Sequence, residues 1–134
     1  MNFSKTTSYA LNILSYMATH EDTNMSASYL HEKLAIPYSY LRHILTNLSK
    51  SGFIHSTKGR TGGFAFSKDK EDIYLIDIID VIDGFESFNT CILGFKVCPF
   101  SDECSMHSVW ETTRNNILKV LKETSLSDLA KRRD

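Results

Sequence analysis

No long apolar run occurs anywhere in this 134-residue chain. Nothing approaches the ~18 consecutive apolar residues that a membrane-spanning helix requires. Lys5 lies near the start, but polar residues interrupt every apolar run of the first twenty, so no secretory leader is expected and the cytoplasm is the expected location. Internal repeats and low-complexity tracts are missing. So are the G-x-S-x-G, P-loop, H-E-x-x-H and paired-carboxylate patterns, and catalysis is therefore not expected. Cysteine is absent from the first ninety residues; Cys91, Cys98 and Cys104 then fall within fourteen positions. An odd number in a cytosolic chain argues against a structural disulfide framework. Their clustering points to a metal or redox role.

What is present suits one small domain with an added element, given roughly 100–200 residues per domain. Apolar residues at 42% and charged residues at 23% place the chain among ordinary globular proteins. The net charge of −1 conceals an imbalance. Residues 1–70 hold eight Lys/Arg against four acids, whereas residues 71–134 hold seven against twelve. Four of the five histidines also lie in the first half. An anionic partner would meet the front of the chain only.

Residues 4–19 predict a helix with Tyr9, Ala10, Ile13, Leu14 and Met17 on one stripe. Residues 21–24 form a polar turn, and Ser26 caps a short helix to about Leu34 that buries Ala27, Leu30 and Leu34. After a tight connection at Ala35 and Ile36, Pro37 opens a helix to about Ser51 that buries Leu41, Ile44, Leu45 and Leu48. Gly52 stands where a left-handed C-terminal cap is expected. The period then shortens: residues 53–57 and 63–67 alternate as β-strands around Lys58-Gly59-Arg60-Thr61-Gly62, a hairpin. An apolar helix over 74–83 follows, with Leu75, Ile78, Ile79 and Ile82 inward and Gly84 at its end. Residues 85–104 lack periodicity. A long amphipathic helix runs from about 105 to 123, and 125–133 reads as a frayed terminal turn.

Two short helices joined by a tight turn and followed by a basic hairpin constitute a winged helix-turn-helix pattern. The second helix suits a major groove about 12 Å wide, with its N-terminal side chains at base edges. Its exposed residues are Ser39, Tyr40, Arg42, His43 and Thr46, with Lys50 nearer the DNA backbone. On the wing, Lys58 and Arg60 supply charge, while Thr61, Gly62 and the neighbouring glycines allow close approach to phosphates. Arg60 at the tip suits a narrow minor groove.

The segment Ser39-Tyr40-Leu41, then Leu45, Leu48, Gly52 and the Gly62-Gly63-Phe64 wing, resembles the family of the iron–sulfur cluster regulator IscR and the nitric-oxide-sensing repressor NsrR. The Tyr9-Ala10 helix and the Ile76-Asp77-Ile78-Ile79 helix resemble it too, and the similarity covers about 125 residues in order. It implies a homodimeric regulator on an imperfect palindrome of double-stranded DNA, with C-terminal helices crossing at the dimer interface. The stripe Val109/Trp110, Thr113, Ile117, Val120/Leu121 fits a partner helix. The fold class expected is mainly α with a small β-hairpin. Residues 1–84 form the winged helix-turn-helix DNA-binding domain, 85–104 a cysteine-bearing sensor loop, and 105–134 the dimerisation helix and C-terminal tail.

The sensor loop ends with Cys104 and His107, three apart at a helix start, where both can face one point and the helix N-terminus favours thiolates. Read by themselves, Cys91, Cys98, Cys104 and His107 fit an iron–sulfur cluster or structural zinc equally well, and oxidation of metal-free thiols is a third reading. The family resemblance implies a [2Fe-2S] cluster on these four residues. Two departures stand out: six residues separate Cys91 from Cys98 where the iron–sulfur regulator has five, and Ser8 occupies the position at which the nitric-oxide repressor presents an acidic ligand. The expected function is a DNA-binding transcriptional repressor gated by that cluster, responding to redox state, nitric oxide or iron–sulfur supply. The alternative is a cluster-free regulator of the same fold using a thiol switch, zinc or a protein partner.

Overall fold

Ser4 begins the first helix by accepting a hydrogen bond from the Thr7 N–H at 3.1 Å, satisfying one of the orphan donors of a helix start. The computed structural model describes residues 4–20, 25–60, 62–84, 93, 99 and 104–131. Helix α1 spans Lys5–Thr19, and its i, i+3, i+4 stripe of Ala10, Ile13, Leu14 and Met17 is buried. The polar turn expected at 21–24 lies outside the described residues. Helix α2, Ala27–Leu34, is capped by Ser26, whose hydroxyl accepts from the Tyr29 N–H at 3.1 Å. It ends at Ala35, which sits in the left-handed region at φ 55° and donates to the His31 carbonyl.

Helix α3, Tyr38–Lys50, starts directly after Pro37. It buries Leu41, Ile44, Leu45 and Leu48 against α1 and α2, as its period requires. Two bonds close its end: Phe53 N–H to Leu48 carbonyl and Gly52 N–H to Ser49 carbonyl. That pairing is a Schellman motif, and Gly52 at φ 85° supplies the left-handed residue it needs. Strands β1, Ile54–Thr57, and β2, Gly63–Phe66, pair antiparallel with Ile54 opposite Phe66 and Thr57 opposite Gly63. The Phe64 N–H donates to the Met25 carbonyl at 2.8 Å, tying the wing to the residues before α2.

After a 3₁₀ turn at Lys70–Asp72 comes helix α4, Leu75–Ile82. Its inward side differs from the expected one. Ile78 enters the main core, while Leu75 and Ile82 are only half-buried at its edge. Ile76 and Ile79 face the other way, into a second cluster with Tyr74, Leu118 and Leu121. The reason is position: α4 is sandwiched between α1 and α5, so it is apolar on two sides.

Helix α5 is Ser105–Glu123. The turn expected to fray after it is instead a short packed helix, α6, Leu126–Lys131. Ser125 and Asp128 exchange bonds, N–H to carboxylate at 2.9 Å and N–H to hydroxyl at 3.1 Å, a reciprocal cap. Leu126 is fully buried in the main core, and its N–H donates to the Ile73 carbonyl. The chain thus returns from α5 to pack on α1. No helix among the described residues is long and apolar enough to cross a membrane.

Candidate nucleic-acid interface and cysteine site

The four buried leucine and isoleucine positions of α3 fix which of its residues face outward. Ser39, Tyr40, Arg42, His43, Thr46 and Lys50 are all exposed, as the helical period demands. They differ in how freely they can reach a ligand. The Thr46 hydroxyl donates to the Arg42 carbonyl at 2.9 Å, which leaves its lone pairs to accept. Tyr40 is tied to α1: its hydroxyl hydrogen-bonds that of Thr6, and its ring meets Tyr9 edge-on, centroids 5.4 Å apart. A residue expected only at the DNA surface therefore also braces α3 against α1.

Arg42 has a partner that sequence reasoning passed over. Its guanidinium carbon lies 5.9 Å from the centre of the Tyr38 ring, and Nη1 is 3.4 Å from the Tyr38 hydroxyl. The hydrogen bond from Arg42, and after it one from Ser28, hold the phenol below the ordinary tyrosine range against the opposing effect of burial. The signal was available, since residues four apart on a helix are neighbours. Thr6 and Tyr9, one helix away from α3, gave no such signal.

On the wing, Lys58 and Arg60 are exposed, and Thr61 lies outside the described residues. Gly62 is required where it stands. A Cβ there would come 2.2 Å from the Thr57 carbonyl oxygen and 2.8 Å from the Lys58 carbonyl carbon. The Gly62 N–H donates to the Gly59 carbonyl at 3.0 Å, closing the tip.

Of the four expected ligands, Cys91 and Cys98 lie outside the described residues. Cys104 is the N-cap of α5, half-buried as a free thiol, with no side-chain cap bond. His107, one turn on, donates its N–H to the Cys104 carbonyl at 3.1 Å. Its imidazole is exposed, with Nε2 3.6 Å from the Glu111 carboxylate. The backbone bond sets Cys104 and His107 one turn apart at the start of α5, and the imidazole's near partner is Glu111. The described residues alone do not bring three ligands together.

The long helix carries two apolar faces. Trp110, Leu118 and Leu121 turn inward, the last two onto α4. Val109 and Val120, expected on the same stripe, are 58% and 60% exposed.

Comparison with known proteins gives this arrangement a context. The profile of the Rrf2 family, described as iron-dependent transcriptional regulators, matches residues 3–132. An HTH-type transcriptional regulator of Aquifex aeolicus is 33% identical over 131 residues, covering 96% of this chain and 91% of the relative. The regulator IscR of Xenorhabdus nematophila is 26% identical over 94% of this chain and 77% of its own length. Among solved structures, CymR, the global cysteine regulator of B. subtilis, superposes with a TM-score of 0.80 at 25% identity, covering 100% of this chain and 99% of the other. T. potens IscR gives 0.74 at 26% identity, over 98% and 87%.

Proposed function

The chain belongs to the Rrf2 family of DNA-binding transcription regulators, and from that premise we propose that it works as a homodimeric repressor gated at its cysteine segment. One observation carries the DNA side. Helix α3 buries Leu41, Ile44, Leu45 and Leu48 and presents Ser39, Tyr40, Arg42, His43 and Thr46 on the opposite surface. These meet base edges of an imperfect palindrome, while Lys50, Lys58, Arg60, Thr61 and Gly62 meet phosphates and the adjacent minor groove. Dimerisation through the outer face of α5 sets two such helices about one DNA turn apart.

For the gate, Cys91, Cys98, Cys104 and His107 would hold a [2Fe-2S] cluster. When bound, such a cluster supplies redox chemistry and sensitivity to oxygen or nitric oxide. The chain's own contribution is positional. Cys104 stands at the start of α5 as its N-cap, half-buried and making no side-chain cap bond, so its sulfur is not committed to capping the helix. Cys91 and Cys98 fall within the stretch of sequence between α4 and α5, Cys104 and His107 at its α5 end, and α5 packs on α4 through Leu118 and Leu121. A ligand that favours one placement of that connection biases α4 against α5, and with them the spacing of the recognition helices.

A second reading draws on the likeness to the Bacillus cysteine regulator, which spans 99% of that chain. Here no cluster binds, and thiol oxidation, zinc or a protein partner moves the same connection. Anaerobic purification, an absorption spectrum and iron and sulfide counts separate the two. A coloured protein with about two irons and two sulfides per chain, lost in Cys104→Ser, is expected. A colourless protein holding one zinc per chain after anaerobic reconstitution would sink the cluster.

A further inference from the structure

We propose that Tyr38 is a positioning residue for DNA recognition, its ring holding the Arg42 guanidinium in the pose that meets DNA. The inference rests on the reading of α3 as the recognition helix. Its physical basis is a chain of contacts through the helix-turn-helix turn. His31, near the end of α2, donates Nδ1–H to the Ile36 carbonyl at 2.6 Å. A carbonyl can only accept, so the proton is on that nitrogen. The bond fixes the imidazole across the turn, next to the left-handed Ala35. The fixed imidazole meets Tyr38 edge-on, with centroids 5.6 Å apart and planes at 74°. Tyr38 in turn lies under Arg42 at 5.9 Å, inside the ~6 Å reach of a cation–π contact.

Besides Arg42, Tyr38 touches α2, through His31 and a hydrogen bond with Ser28. It is 40% exposed and contributes nothing to the main core. Arg42, for its part, pairs with no carboxylate among the described residues, so its charge is left for an anionic partner. An unsupported arginine must lose considerable rotamer freedom on binding, and a side chain held beforehand loses less. A contact through the ring suits this task because it engages the guanidinium without using up all of its N–H donors, leaving some for a guanine edge or a phosphate. The ring matters more than the hydroxyl: a 3.4 Å bond is beyond the usual N–H···O range.

The test is a double-mutant cycle on the full chain. Duplexes would be selected from a randomised pool by the wild-type protein, and binding measured by fluorescence anisotropy against a scrambled duplex of equal composition. Tyr38→Ala should weaken binding to the selected duplex about tenfold. The Tyr38→Ala/Arg42→Ala pair should be no weaker than Arg42→Ala alone. Tyr38→Phe should stay within about threefold of wild type, because it keeps the ring. Repeating the selection with Tyr38→Ala should relax preference at the same positions that Arg42→Ala relaxes, which a merely structural role would not do. Thermal unfolding confirms that each variant is folded. An unchanged Tyr38→Ala, a loss that adds in full to that of Arg42→Ala, or no rescue by phenylalanine would overturn the proposal. If Arg42→Ala itself binds as wild type, the reading of α3 fails first and this inference with it.

Discussion

Asp83 and Thr7, seventy-six residues apart, share a 2.7 Å hydrogen bond that fastens the end of α4 to the first turn of α1. The same carboxylate oxygen accepts the Ser4 N–H at 3.1 Å. An acid at a helix N-terminus is favoured by the helix dipole as well as by the bonds themselves. Burial pushes the Asp83 carboxyl up, but the bonds from Thr7 and Ser4 outweigh it and hold it below the ordinary aspartate range. Asp83 is also the residue before Gly84, where the chain leaves α4 toward the cysteines. It anchors one end of the connection that the proposed gate must move.

The stability consequence follows from the direction of that shift. A carboxyl with a lower pKa folded than unfolded stabilises the fold above its unfolded value, near 4, and ceases to do so as pH falls through its folded value. Asp83→Asn should therefore cost about 1 kcal/mol at pH 7. Urea titrations of both proteins should show the gap narrowing below about pH 4. A gap that stays constant to pH 3 would mean that charge at position 83 is irrelevant to stability.

Gly62→Ala should damage the wing without unfolding the domain. The added methyl would collide with backbone atoms of Thr57 and Lys58, which cannot rotate away, so the Thr57–Gly63 end of the hairpin must open. The core takes Phe53 and Ile54 from the base of the hairpin and packs Phe64 and Phe66 against them, but the Thr57–Gly63 end lies outside it. Amide exchange across β1 and β2 should quicken markedly, while the unfolding midpoint shifts by only a few degrees. Affinity for DNA should fall with the wing. Unchanged exchange in β2 would show that the hairpin tolerates the side chain.

Phosphate and base contacts are separable by salt. Arg60→Ala should weaken binding and reduce the salt slope by about 1. Ser39→Ala and His43→Ala should instead leave that slope unchanged and relax preference at particular base pairs. Both sets need only an anisotropy titration between roughly 50 and 200 mM salt. If the Arg60 variant discriminates worse among sequences and the α3 variants lose affinity uniformly, the two roles are exchanged.

Much of this fold was legible because local signals and the core agreed. Ser4, Ser26 and Gly52 stand at the ends where capping chemistry puts them, and the period of α3 names both its buried and its exposed residues. Sequence reasoning failed where one element serves two neighbours. Ile76 looked outward on a one-sided helix, yet α5 covers it. The 125–133 segment reads as a frayed terminal turn, yet Ser125 and Asp128 spell a cap and Leu126 is its anchor. On the outer face of α3 the charged and polar residues were readable from the helical period. Their supports, Tyr38 beneath Arg42 and Thr6 beside Tyr40, follow from side-chain geometry across and along helices, which spacing alone only hints at.

The two faces of α5 make the dimer testable apart from the fold. Leu118 and Leu121 pack on α4, so shortening them would damage the protomer itself. Val109 and Val120 are exposed on the single chain, so a charge there costs the protomer little. If a partner helix covers them, the Val109→Glu/Val120→Glu variant must bury two carboxylates in that interface, which is strongly unfavourable. It should sediment as a monomer with an unfolding midpoint near that of the isolated wild-type protomer. Its affinity for a palindromic duplex should fall roughly 10²-fold, because the second half-site is no longer tethered to the first. Binding to a single half-site should be almost unchanged. A variant that remains dimeric and keeps full affinity would place the subunit contact on some surface other than this face of α5.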